Sequence, residues 1–146
     1  MPFLLKDWEK LDDNTSKHVT DPKDDVLTVP KPKGTIEEDM ATLEKMSDPK
    51  KTLYVIHTPP NNTLLDIITS GVHVGSTSVR SFIEKNQPPL TLHGHIHESP
   101  EMSGQSQDAI GKTICVNVGR DHENAMLRFA EIDLDDLGLI KIHHTR

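Results

Sequence analysis

The sequence predicts a mixed α/β domain that closes on an antiparallel β-hairpin, and three observations carry that prediction. Between Thr52 and His93 two short β-rich runs flank an amphipathic helical pattern. After Lys112 the pattern turns wholly to strands, the last two joined by Asp135-Asp136-Leu137-Gly138. Only 34% of the 146 residues are apolar and 10 are proline, so the core is lean and much of the chain is loop.

Each element follows from local chemistry. Phe3-Leu4-Leu5 and Trp8 form a short apolar patch, open between a strand and a docking arm. Residues 12–34 hold many Lys and Asp with Pro22, Pro30 and Pro32 and no apolar periodicity, which predicts a long polar loop. Thr35 to Met46 predicts a helix: Thr35 and Glu38 have capping-box spacing, and Ile36, Met40 and Leu43 share one face. Asp48-Pro49 ends it. Thr52 to Ile56 predicts a buried strand, stopped by Thr58-Pro59-Pro60. Leu64, Leu65, Ile67 and Ile68 predict a helical turn or two ending near Gly71. Ser76 to Lys85 predicts a second helix with Val79, Phe82 and Ile83 on its apolar face. Pro88-Pro89 separates it from a second buried strand, Leu90 to His93. Further strands are expected over Thr113–Val118, Met126–Leu134 and Leu139–His143.

Bulk properties narrow the function. The formal net charge of −7 disfavours a nucleic-acid backbone as the main partner, although metal ions can let an acidic protein take phosphates. One cysteine, Cys115, lies in an apolar run and reads as a small buried hydrophobe. There is no basic segment leading into a long apolar stretch, and no apolar run near the roughly 20 residues that span a bilayer. The expectation is a soluble cytoplasmic protein without a membrane partner.

The chemistry gathers at strand ends. If the strands around Thr52–Ile56 and Leu90–His93 are parallel neighbours, they finish at one edge of the sheet, where open α/β sheets place ligands. That brings His57 together with His95 and His97. In an extended segment His95 and His97 face one side, with Cα atoms roughly 6–7 Å apart. That spacing suits two ions about 3.5–4 Å apart. Gly94 permits close backbone approach. Imidazole serves Mn, Fe, Ni, Zn and Co alike. His93 is in phase with His95 but inside the strand, and reads as a packing or supporting residue. His18, His73, His122, His143 and His144 read as solvated loop histidines. A structural zinc site is disfavoured, because His57, His95 and His97 with an unpaired Cys115 inside a strand lack the usual ligand spacing.

Leu92-His93-Gly94-His95-Ile96-His97-Glu98-Ser99 resembles the G-H-x-H block of calcineurin-like metallophosphoesterases. Val55-Ile56-His57-Thr58-Pro59-Pro60 is similar to that family's preceding single-His block. The link from Gly75 to Pro88, the strand Ile110–Gly119 and even Pro2–Glu9 resemble small prokaryotic members. The resemblance implies metal-dependent hydrolysis of phosphomonoesters or phosphodiesters at a two-metal site. It implies a fold in which two mixed sheets form a sandwich flanked by helices. By matching position, His57 and His95 would bind one metal and His97 the other, with manganese favoured. Gly94, Glu98 and Asn117 become candidates for supporting or substrate contacts.

The same resemblance implies that part of the site is supplied elsewhere. The family's D-x-H, G-D-x-x-D and G-N-H-[DE] blocks do not occur in the sequence, and with them go the bridging Asp and the catalytic His. No catalytic residue is therefore assigned. Identical chains cannot supply these blocks to one another. Asp66, Glu98, Asp108 and Asp121 are the carboxylates available as substitutes, though their spacing does not recommend them. Phe3–Glu9 is internal in the relatives, which implies a partial domain over 1–146, the C-terminal half of a complete one. Self-association, or a partner carrying the N-terminal half, is then expected through uncovered strand edges. The alternative is a non-catalytic remnant or oligomerising interaction module that binds no metal.

Overall fold

The computed structural model describes residues 34–120 and 127–145, with the backbone of three short strands before them. The chain divides into two compact units, Met1–Thr35 and Ile36–Arg146, where the sequence reading had one domain. In the first unit β1 (Trp8–Lys10), β2 (Thr15–His18) and β3 (Leu27–Pro30) form an antiparallel sheet in that order. Trp8 pairs with His18, and His18 with Leu27. Two of these strands fall within the stretch 12–34 expected to be a loop. Charge and proline there point to a loop, whereas the β-branched Thr15, Thr28 and Val29 favour strands. The patch Phe3–Leu5 lies outside the described residues.

The second unit opens with α1 (Ile36–Met46), as predicted. Glu37, Glu38 and Asp39 in its first turn and Lys45 in its last complement the helix dipole. Asp48 then accepts the Lys50 N–H at 3.1 Å and caps a single 3-10 turn. β4 (Leu53–Val55) follows. α2 (Thr77–Asn86) is capped by Ser76, whose Oγ accepts the Val79 N–H at 3.2 Å, and ends at Gln87 in the left-handed region. Its predicted face of Val79, Phe82 and Ile83 is buried. Phe82 meets Tyr54 of β4 edge-to-face, with ring centroids 5.0 Å apart.

β5 (Leu90–His93), α3 (Ser99–Ser103), β6 (Gln107–Ile110) and β7 (Thr113–Asn117) complete a four-stranded sheet in the order β4-β5-β7-β6. β4, β5 and β7 run parallel and β6 antiparallel, so the sheet is mixed. β8 (Arg128–Ile132) and β9 (Ile140–His144) form the expected C-terminal hairpin, whose turn is closed by Leu139 N–H donating to the Asp136 carbonyl at 3.0 Å.

Register sorts the sheet's two faces. Tyr54, Thr91 and Cys115 share a row, and that face packs with Met40, Val79, Phe82 and Ile83 into the core. Cys115 is buried as predicted, and burial pushes its thiol up to about 11. The opposite face carries Leu53, Val55, Leu90, Leu92, Ile114 and Val116.

Three expectations need correction. β4 is buried on one face only: Tyr54 and the following Ile56 join the core, but the strand stands at the end of the sheet's order with Val55 77% exposed. Apolar composition cannot tell an edge from a centre. Residues 61–75 form no helix, only turns and a bridge between Ile67 and His73, because a buried carboxylate takes over their backbone hydrogen bonds. α3 and β6 were not foreseen: Gln107-Asp108-Ala109-Ile110 has little strand propensity and is held by pairing with β7. Among the described residues no helix is long and apolar enough to cross a membrane.

Candidate metal-binding edge of the sheet

Parallel pairing of β4 with β5 sets the site. Leu53, Tyr54 and Val55 face Leu90, Thr91 and Leu92, and the ladder runs on through Ile56 N–H to Leu92 O at 2.9 Å. Its last rung is Gly94 N–H donating to His57 O at 2.9 Å. His57 and the residue after Gly94 are thereby locked side by side. The His57 and His95 rings have centroids 5.0 Å apart, at an interplanar angle of 65°.

The backbone at His95 departs from the extended form expected of it. His95 has φ +65°, and Ile96 N–H donates to Gly94 O at 2.7 Å across it. An i-to-i+2 bond about a positive φ is the rare, strained form of the γ-turn. Such conformations cost roughly 1–3 kcal/mol and persist only where the surroundings impose them. Because the segment turns here, the strand-like alternation expected of His95 and His97 does not hold. His97 is on the exposed surface of this turn. Burial holds the His95 ring below the ordinary histidine range; the charges of His57 and then His97 add to that, and Glu98 opposes it. His57, His97 and Glu98 therefore all stand within electrostatic reach of His95. Glu98 occupies the N-cap of α3 without a side-chain capping bond.

His93 braces the other loop. Its Nδ1 lies 3.0 Å from Ile56 O and 3.1 Å from Thr58 O, the carbonyls flanking His57. Carbonyls only accept, so Nδ1 carries the proton and Nε2 accepts from Thr91 Oγ1 at 2.8 Å. Burial pushes this ring down to about 4, which keeps it neutral. This agrees with the packing role expected of a residue inside the strand.

Asn117 ends β7 and is buried to 1% exposure. Its Nδ2 lies 3.0 Å from Ile96 O, 3.1 Å from Leu65 O and 3.4 Å from Gly94 O. Its Oδ1 accepts the Gly119 N–H at 3.0 Å. Gly94 itself is less constrained than expected, since a Cβ there would meet His57 Nδ1 at an ordinary 3.6 Å.

Two of the substitute carboxylates, Asp66 and Asp108, are engaged. Fully buried Asp66 accepts from the N–H groups of Asn62 at 3.0 Å, Thr63 at 2.9 Å and Gly75 at 2.9 Å, and from His73 Nδ1 at 2.7 Å. His73 is thus a partner of a buried carboxylate rather than a solvated loop residue. Asp108 accepts from Leu64 N–H at 2.8 Å and Ala109 N–H at 2.7 Å. His143 stacks on Phe129 with centroids 4.9 Å apart and bonds Glu131 at 3.0 Å, while His144 accepts from Arg128 at 3.2 Å. Asp121 and His122 lie outside the described residues.

Imidazoles suit first-row metals, and the His57–His95 pair offers two of them. Among the described residues no three His, Cys, Asp or Glu groups are arranged to hold one ion. The donors thus fit part of a coordination shell but do not fill one. Sequence reasoning passed over the Asp66 knot and Ser99. Asn61-Asn62-Thr63 ahead of Asp66 is the composition of a turn closed by side-chain-to-backbone bonds, and was the available signal.

No protein-family model matches the sequence. The uncharacterized protein MJ1162 of Methanocaldococcus jannaschii is 42% identical over 72 residues, which are 47% of this chain and 31% of that protein. A solved crystal structure is similar over 75% of this chain and 38% of its own, at 25% identity and a TM-score of 0.56. The chain thus spans about a third of the length of either relative. The structural likeness supports the mixed α/β architecture.

Proposed function

We propose that this chain carries the His57, His95 and His97 side of a two-metal phosphoesterase centre of the calcineurin-like kind. The observation that carries the reading is the last rung of the β4–β5 ladder, which sets His57 beside His95 at the carboxyl edge of a parallel pair. Asp66 and Asp108 already serve backbone N–H groups, which leaves Glu98, within electrostatic reach of His95, as the described carboxylate candidate beside the pair. When bound, a pair of divalent ions, manganese in the first instance, would neutralise a phosphoester and the charge that develops on it. This chain's own part is positional. His93 holds the carbonyls on either side of His57, and the ladder fixes the spacing of the two rings.

Equilibrium dialysis with Mn²⁺ tests this. Saturable binding is expected, weakened about tenfold or more by His57→Ala or His95→Ala, the usual cost of a lost ligand-shell group. His143→Ala, on the C-terminal hairpin, should leave it unchanged. No saturable binding, or binding indifferent to both ligand substitutions, overturns the reading.

A different observation favours a second reading, an association module. Leu53, Val55, Leu92 and Ile114 make the sheet's second face apolar, and Val55 stands exposed on it. A sheet apolar on both faces is built to be covered on both. Leu90 and Val116 on that face are already buried, so the open part, at Leu53 and Val55, is where a second sheet or another chain would extend the cover.

A further inference from the structure

We propose that Asn117 is the positioning residue of the His95 turn and that it couples this turn to the loop 61–75. The purpose given to the turn rests on the metal-centre reading; the clamp itself rests on hydrogen bonding alone. Asn117 does not touch the ring of His95. It holds the backbone on either side, through Gly94 O at 3.4 Å and Ile96 O at 3.0 Å. The Ile96 carbonyl accepts from the Asn117 amide at 3.0 Å and, more weakly, from the Ser99 N–H at 3.4 Å. One carboxamide has two N–H groups, and the third carbonyl that shares them is Leu65 O at 3.1 Å. Leu65 adjoins Asp66, the centre of the loop's hydrogen-bonded knot. Ser99 adds a second tie: its Oγ accepts from Ile67 N–H and donates to Leu64 O, both at 3.0 Å. Movement of the loop is thus felt at the residues that hold His95 in its left-handed conformation.

A buried asparagine that merely satisfies its neighbours would make the same bonds. The two roles part when the amide is removed and the sheet remains. The experiment is NMR on the metal-free chain, comparing wild type with Asn117→Ala and Asn117→Ser. The reporters are the cross-relaxation between the His57 and His95 rings, 5.0 Å apart, and the amide exchange of Ile67 and Val74. Both variants are expected to lose most of the ring-to-ring signal and to exchange these loop amides about tenfold faster, while the β5–β7 ladder stays protected. Unchanged ring contact and loop protection in either folded variant refutes the clamp. If Asn117→Ala loses ladder protection, Asn117→Ser, which keeps one short donor, decides. Loss of the ladder there too makes Asn117 a general structural residue and overturns the proposal. Absence of Mn²⁺ binding in wild type would sink the metal reading and leave the clamp to be judged on these signals.

Discussion

His93 and His95 are two residues apart and hold opposite kinds of constraint. His93 is kept neutral by burial, with its ring pushed down from 6.5 to about 4. Between those values the unfolded chain binds a proton that the folded chain refuses. Stability is therefore flat above about pH 6.5, falls as pH drops toward 4, and loses at most about 3 kcal/mol to this group. Urea midpoints in chelator, from pH 8 down to 4.5, should show that fall, and His93→Gln should flatten it. A wild-type slope equal to the variant's would mean the ring protonates freely in the fold. His95 is constrained by backbone instead. At φ +65° a side chain is disfavoured and glycine is not, so His95→Gly should be more stable than His95→Ala by about 1–2 kcal/mol. Equal stabilities would mean that the turn relaxes once the imidazole is gone. The position of His57 and His95 was legible from two strand ends, because the right-handed crossover leaves one arrangement. The sign of φ at His95 was not, because a left-handed residue is imposed by its neighbours and leaves no mark in its own type.

Strand–helix–strand periodicity survived from sequence to structure because packing decides it: Val79, Phe82 and Ile83 must meet the sheet. The segment 61–75 failed the same test. Its aliphatic residues are spaced for a helix, but Asp66 draws three backbone N–H groups to itself and only an irregular turn can present them. Gly75 is part of that geometry, since a Cβ there would lie 2.8 Å from Asp66 Oδ2 and 2.7 Å from Pro59 O. Asp66→Asn places an N–H₂ group against donors that need an acceptor. It should cost about 3 kcal/mol, the usual penalty for stranding buried polar partners, and Gly75→Ala should cost about 1–3 kcal/mol by overpacking. Gly94→Ala, with an ordinary 3.6 Å contact, should cost far less. Chemical denaturation of the three variants orders them, and Gly94→Ala as damaging as Gly75→Ala would contradict the loop geometry.

For the molecule as a whole, the sheet's second face sets the behaviour. Helices α1 and α2 pack on the face of Tyr54 and Cys115. The opposite face leaves Val55 exposed on β4, the end strand among the described residues. The mixed sheet was legible in the sequence; the exposure of its edge was not, because a continuous apolar run such as Leu53–Ile56 reads alike whether or not another layer covers it. An exposed apolar edge recruits further strands, and lysine on such an edge opposes pairing by leaving a charge to be desolvated. The purified chain should therefore sediment as an oligomer whose proportion rises with concentration, and Val55→Lys should shift it to monomer. Fold is not at stake in this substitution, since Val55 is 77% exposed, and circular dichroism should be unchanged. A wild-type chain that stays monomeric at high concentration would mean that the apolar face needs no cover. An oligomer indifferent to Val55→Lys would place the contact elsewhere, with the exposed Leu127, Phe129 and Leu139 around the β8–β9 hairpin as the next surface to charge.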